Sequence, residues 1–260
     1  MTVQALSRTA REGFTSVLAA DDEPLPLRTE LFLIAHDHDS GRLHVSRRRL
    51  ELVLAGGVLC DLWLADRIQI GWRFDARTNQ WESDPGRIVV LREDSVGDPL
   101  ADSVLATLCR TATPRVHSVV RELAATGLYE RVAGDMIAAG ILRRVRRGWF
   151  GVFRRDGYQP VSEAFAVRVR NRLRDLVAGN PRLGEWQAGE RYESHNTALA
   201  ALVVVLGLMR HLYTGLEPSR LRKVLTDLVT NWPGQSIQDV AVALSRSRET
   251  TGQSGVRGVD

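Results

Sequence analysis

The residues with the greatest chemical potential lie between Arg143 and Tyr158, in the run RRVRRGWFGVFRRDGY. Arg143, Arg144, Arg146, Arg147, Arg154 and Arg155 surround Trp149, Phe150 and Phe153. Guanidinium groups pair with phosphate and carboxylate oxygens in a rigid fork and stay charged at any physiological pH. Aromatic rings beside them supply apolar surface suited to a boundary between oil and water. Extended from Arg143 to Arg174, the stretch holds ten arginines against Asp156 and Glu163, a local charge of +8. The whole chain carries only +4. Charge so concentrated calls for an anionic partner, either a membrane surface or a nucleic acid.

Other groups able to do chemistry are scattered. His36-Asp37-His38-Asp39 is the one cluster resembling metal ligands, but it lies in a turn rich in Asp, Ser and Gly and reads as solvated. His44, His117, His195 and His211 are dispersed. Glu185, Glu190 and Glu193 fall near Trp186 and Tyr192 without a partner base or nucleophile, and read as loop surface. Cys60 and Cys109 both fall in apolar helical pattern and read as small buried hydrophobes in a reducing compartment. There is no phosphate-binding P-loop, dinucleotide fingerprint or nucleophile elbow. The expectation is a non-enzymatic chain with no cofactor, no metal and no catalytic residues.

The elements that must position the basic run come from the hydrophobic pattern. Of 260 residues, 44% are hydrophobic and 25% charged, an ordinary balance for a domain with a real core. Lysine occurs once, at Lys223, against 34 arginines. That skew points to a GC-rich, bacterial genome, yet it does not explain why the arginines cluster. Met1 to Glu12 has no apolar signal core, and Thr197 to Met209, the most apolar run, is too short to span a bilayer. The expected location is cytoplasmic, with any membrane contact peripheral.

Leu31 to Ala35 is a short apolar run before the HDHDSG turn, and Arg42 to Val45 reads as a returning strand. Arg48 to Asp66 predicts a helix apolar nearly all round, hence central. Gly56-Gly57 in its middle implies close helix packing, since each Gly costs about 1 kcal/mol there relative to Ala. Arg67 to Trp72 and Gly86 to Arg92 predict two strands, with a turn at Thr78-Asn79. Helices are predicted from Asp98-Pro99 to Arg110, Arg115 to Ala125, Tyr129 to Ala139, Ser162 to Ala178, Thr197 to Tyr213, Pro218 to Asn231 and Ser236 to Ser245. Gly148 and Gly151 break the basic run, and its Val and aromatic residues favour two short strands and a turn. Fold class is therefore mainly α: a single domain of central buried helices ringed by amphipathic ones, with a protruding basic, aromatic β-hairpin. Residues 1–26 read as an arm, 27–245 as the domain and 246–260 as a disordered tail.

Two partners fit the hairpin. Helix, turn, helix and two-stranded wing is the order of a winged-helix DNA-binding module, in which wing arginines touch phosphates. Its second helix, however, offers Glu130, Asp135 and only Arg131, with no Asn, Gln or Lys to read base edges. A membrane uses more of the run. Six arginines near an anionic leaflet give roughly 4–6 kcal/mol. Inserting one ring adds about 1.5–3 kcal/mol, enough together for reversible binding in the micromolar range. A third possibility is a homo-oligomer or adaptor that buries Trp149, Phe150 and Phe153 against a partner chain.

Several blocks carry a resemblance. Leu59-Cys60-Asp61-Leu62-Trp63-Leu64-Ala65-Asp66-Arg67-Ile68, then Gly97-Asp98-Pro99-Leu100-Ala101-Asp102, then Tyr129-Glu130-Arg131-Val132-Ala133 through Ala139-Gly140-Ile141-Leu142 stand in one order. In that order, from Leu27 to Leu244, the chain is similar to the Golgi phosphoprotein 3 family, phosphatidylinositol 4-phosphate effectors with bacterial relatives. The resemblance implies central helices ringed by amphipathic ones, and a hairpin that inserts into membrane or pairs protomers. It also implies a head-group pocket, built in eukaryotic members from one Trp and three Arg. The aligned positions here hold Ser46, Ala55, Thr126 and Tyr129, so none is kept. Arg47, Arg48, Arg121 and Arg131 are close in sequence and are the candidates to take their place.

Overall fold

The structure, a computed structural model, describes residues 24–37, 39–149, 153–178, 189–212, 239–240 and 242–244. Its elements are α1 (Leu27–Ala35), α2 (Arg47–Leu64), β1 (Ile68–Asp75), β2 (Gln80–Val90), α3 (Pro99–Arg110), α4 (Val116–Ala124) and α5 (Leu128–Ala138). They continue with β3 (Leu142–Trp149), β4 (Phe153–Pro160), α6 (Glu163–Ala178), α7 (Gly189–Leu206) and α8 (Met209–Leu212). Mainly α is the right class. Each strand pair forms its own two-stranded antiparallel sheet. The expected arm and tail lie outside the described residues, except for 24–26. The expected helix Pro218 to Asn231 also lies outside them, and of Ser236 to Ser245 only 239–240 and 242–244 are described, as helix.

Two helices form the centre. Leu50 to Cys60 of α2 is continuously buried. Ser46 caps this helix, its hydroxyl accepting from the Arg49 amide at 3.3 Å. Side chains at Gly56 would meet Leu244 at 2.9 Å and Val240 at 3.1 Å, and at Gly57 the Arg28 backbone at 3.2 Å. The two glycines thus admit α1 on one side and Val240 and Leu244 on the other.

The second central helix, α1, corrects the reading of Leu31 to Ala35 and Arg42 to Val45 as run, turn and returning strand. Residues 27–35 are helical and every one is buried. Only an isolated bridge, His36 to Leu43, remains of the expected pairing. A short all-apolar run such as Leu31 to Ala35 has no periodicity to separate helix from strand, and here packing decided.

This buried helix carries charges at Arg28 and Glu30, which are 3% and 1% exposed. Arg28 donates to Asp61 of α2 at 3.2 Å and to Asp98, the N-cap of α3. Asp61 in turn accepts the Leu27 amide at 2.9 Å, covering an orphan donor at the start of α1. Glu30 pairs with Arg172 of α6 and, at 3.0 Å, with His195 of α7. Burial pushes the Glu30 carboxyl up, but His195 and Arg172 more than offset that and hold it below its ordinary value. Arg172 therefore neutralises the core rather than adding to the basic surface of the Arg143–Arg174 stretch.

Other expectations shift for local reasons. The predicted helix Thr197 to Tyr213 starts earlier, at Gly189, and stops at Leu206, where Gly207 adopts φ 80° and Arg49 donates to the Val205 carbonyl at 3.0 Å. Glu190 and Glu193 therefore belong to α7, not to a loop; Glu185 is outside the described residues. Cys60 is buried as expected, but Cys109 is exposed, on the solvent side of amphipathic α3. β1 and β2 run longer than predicted. They pair as Ile68↔Val90 to Ile70↔Ile88, and again as Trp72↔Ser83 to Asp75↔Gln80. Between the two sections β1 spends one residue, Gly71, and β2 spends four, Asp84 to Arg87.

Breaking the central ion pairing tests its importance. Arg172→Met leaves a buried carboxylate short of a partner and is expected to cost about 3–5 kcal/mol at pH 7. That cost shrinks as pH falls and Glu30 takes up a proton. Urea unfolding at pH 7 and pH 4.5 measures both effects.

Candidate functional site

The basic hairpin forms in the expected place. Leu142 pairs with Pro160 and the register runs without interruption to Trp149 opposite Phe153. Arg144 faces Tyr158, Arg146 faces Asp156, Arg147 faces Arg155 and Gly148 faces Arg154 along the backbone ladder. One rung, Arg147 opposite Arg155, sets like charges against each other, and the strands still pair because the buried root holds them. Phe150 lies outside the described residues, and the side chains of residues 146–156 are likewise outside the description. Arg143 and Arg144 are exposed at the base, where Arg143 donates to Gln159 at 3.3 Å.

The root is fixed by packing and hydrogen bonds. Ile141, Leu142 and Tyr158 are buried. Gly41, with φ 60°, lets its own loop press on β4, since a Cβ there would lie 2.8 Å from the Tyr158 carbonyl oxygen. Gln159 donates to the Asp39 carbonyl at 2.7 Å. Tyr158 donates to Glu130 at 2.6 Å, and Arg47 donates to the other oxygen of that carboxylate at 2.8 Å. Burial and the Glu130 carboxylate push the Tyr158 hydroxyl up to about 12, so it remains a donor.

Behind these bonds lies an aromatic cluster that sequence reasoning missed. Phe32 stacks on His36 at 4.3 Å and on Tyr129 at 5.0 Å, with Tyr158 edge-on to all three. His36 is only 4% exposed, which corrects its reading as part of a solvated turn. Its Nδ1 lies 2.7 Å from the Phe32 carbonyl, which can only accept, so Nδ1 carries the proton. Nε2 then accepts from the Tyr129 hydroxyl at 2.9 Å. Burial, only partly opposed by the Phe32 carbonyl, lowers the His36 pKa to about 4. Reading residues 27–35 as helix would have exposed this cluster, because His36 follows Phe32 by four. Among the described residues no group of three or more His, Cys, Asp or Glu is placed to share a metal ion.

The four arginines proposed for a head-group pocket occupy different settings. Arg47 lies over the Tyr129 ring at 4.7 Å, with its charge engaged by Glu51 at 3.2 Å and by Glu130. Arg48 donates to the Ala124 carbonyl at 3.3 Å. Arg121 is exposed on the last turn of α4. Arg131 is exposed on α5 and lines a groove of about 410 Å³ with Arg115 and Thr126, of which Arg47, Arg48 and Arg121 are no part. The positions aligned with the eukaryotic pocket have structural work: Ser46 caps α2, Ala55 is fully buried, Thr126 donates to the Leu123 carbonyl and Tyr129 packs in the cluster.

A family model for Golgi phosphoprotein 3 (GPP34) matches residues 27–244. The chain belongs to that family. The match spans both sheets and all of the helical core described above. A search of curated proteins finds no match. Among the described residues of this Golgi phosphoprotein 3 domain no helix is long and apolar enough to cross a membrane.

The His36 geometry predicts a pH signature. An unfolded chain protonates His36 below about 6.5, while the folded protein resists until about 4. Falling pH through that window therefore removes about 3 kcal/mol of stability. Asp61 works in the opposite sense: burial, offset in part by Arg28, raises it from 3.8 to about 6, so acidification favours the folded state. Comparison with His36→Gln isolates the histidine. The variant is expected to be less stable at pH 7, and the gap should close by about 3 kcal/mol at pH 4. Urea midpoints at the two pH values report this, and a constant gap would contradict it.

Proposed function

We infer that this chain is a non-enzymatic peripheral membrane protein that binds anionic lipid head groups, phosphoinositides among them, through the basic aromatic hairpin. The observation carrying this reading is the β3–β4 register, which gathers Arg143, Arg144, Arg146, Arg147, Arg154 and Arg155 on one ribbon ending in Trp149 opposite Phe153. Arginine charge gives the long-range attraction, and rings in the headgroup layer slow departure. Neither contribution suffices alone. Family membership supports a lipid-directed role.

Head-group recognition is read as resting on the ribbon itself, because Arg47 is already neutralised by Glu51 and Glu130. Selectivity then follows charge density on the lipid more than the shape of one sugar. Nucleic acid fits less well. The exposed positions of α5 are Glu130, Arg131, Gly134, Asp135, Ile137 and Ala138, a net negative face for a helix that would enter a major groove. The expected location is the cytoplasmic face of a membrane.

Sedimentation with vesicles tests the reading. Wild type should bind vesicles containing an acidic phospholipid and leave neutral phosphatidylcholine vesicles largely free. Replacing Arg144, Arg147, Arg154 and Arg155 by Ser should weaken acidic-vesicle binding at least a hundredfold, at about 1 kcal/mol per arginine. The circular dichroism spectrum should not change. Equal binding to neutral and acidic vesicles would refute the electrostatic part, and tight binding of duplex DNA in the same buffer would favour the rival partner.

A further inference from the structure

The other hairpin carries an unexplained apolar surface. Phe74 and Trp81, cross-strand partners next to the β1–β2 turn, are 48% and 45% exposed. Their rings meet edge-to-face with centroids 5.6 Å apart, so the pair forms one patch rather than two stray side chains. The root of the same ribbon is packed, with Ile68, Ile70 and Ile88 each 1% exposed. Between root and tip lies the one-against-four irregularity of Gly71 and residues 84–87, with Gly71 at φ 83° and Gly86 at φ 74°. Bulges bend and twist a ribbon. This one is braced: Arg115 donates to Asp84 at 2.8 Å and to the Pro85 carbonyl at 3.0 Å, and Asp239 accepts the Gly86 amide at 2.9 Å. Two separate segments, those of Arg115 and Asp239, thus hold the tip at a set angle with its rings in water.

We propose that the Phe74–Trp81 tip is a second membrane contact, entering the headgroup layer alongside the basic hairpin. The proposal rests on the membrane-binding reading above. Area excludes the simplest rival, a second copy of this chain. Two half-exposed rings offer about 200 Å² per copy, roughly 400 Å² for a pair, well short of the roughly 1,200 Å² in total that a stable interface buries. A bilayer needs no matching surface, because one Trp and one Phe at interface depth suffice. Charge also fits. The Arg73–Glu82 ion pair beside the rings is closed on itself, and Asp75 balances Arg77, so the tip approaches an acidic or a neutral headgroup layer with little repulsion. The same cross-strand pairing of Trp with Phe recurs beside the turn of the basic hairpin, as Trp149↔Phe153. One tip is strongly basic and the other near-neutral, so the two divide the work between attraction and depth.

Phe74→Thr/Trp81→Thr keeps strand-forming residues at both sites and tests the assignment on vesicles of phosphatidylcholine with phosphatidylserine. The double variant is expected to bind about ten- to a hundredfold more weakly than wild type, with the same dependence on salt concentration. The arginine variant should instead lose salt dependence. A second readout uses Trp81→Phe, which keeps an aromatic ring. Lipids brominated on the acyl chain should quench its tryptophan emission less than that of wild type. Wild-type binding by the double variant, with equal quenching for Trp81→Phe, would overturn this inference and leave the basic hairpin untouched. Failure of wild type to bind acidic vesicles at all would overturn both readings.

Discussion

Everything in this fold depends on neutralising the charges buried in α1. Arg28 and Glu30 sit two residues apart on a helix with no exposed face, so they point toward different neighbours. Arg28 gathers Asp61 and Asp98, which joins α2 and the start of α3 to α1. Glu30 gathers Arg172 and His195, which joins α6 and α7. A buried ion pair contributes little net stability against an apolar replacement, but an unmatched one is very costly. The arrangement thus penalises every packing that leaves one of those four helices out of place. It specifies the topology more than it strengthens it.

That specification reaches the hairpin. α6 follows β4 directly, and Arg172 near its middle is fixed by Glu30, so the end of β4 cannot wander. The Phe32–His36–Tyr129–Tyr158 cluster sets the other side, because Phe32 belongs to the same α1 that carries the charges. A ribbon of two strands with an arginine facing an arginine on one rung is marginal by itself. Here it is stable because its root is part of the core.

Much of this was legible from residue order. Gly56-Gly57 in an all-apolar helix announced close packing, Asp98-Pro99 announced a capped helix start, and the glycines around Trp149 announced a hairpin. What stayed hidden has one physical cause. In a fully buried element the usual contrast between wet and dry faces vanishes, so only Leu31 to Ala35 stood out, as a short apolar run. With α1 misread, Glu30 had no visible partner, Arg172 was counted as surface charge and His36 as part of a turn. The candidate site was legible in composition but not in environment: six arginines were obvious, whereas the neutralisation of Arg47 by Glu130 and Glu51 needs α5 brought against α2.

The placement of the two ribbons follows from α2. The β3–β4 root is tied, through Glu130 and Arg47, to the first turn of α2, while β1 begins four residues after its last turn. With 18 residues, α2 is about 27 Å long, so the ribbons spring from opposite ends of a rigid rod. One contact point would leave the protein free to pivot on a bilayer. On the proposed reading, two separated points would restrict it to orientations with α2 nearly parallel to the surface. Opposite-end attachment also keeps the requirements apart: charge density can change on one ribbon without disturbing the ring pair on the other, because their roots are held at the two ends of α2.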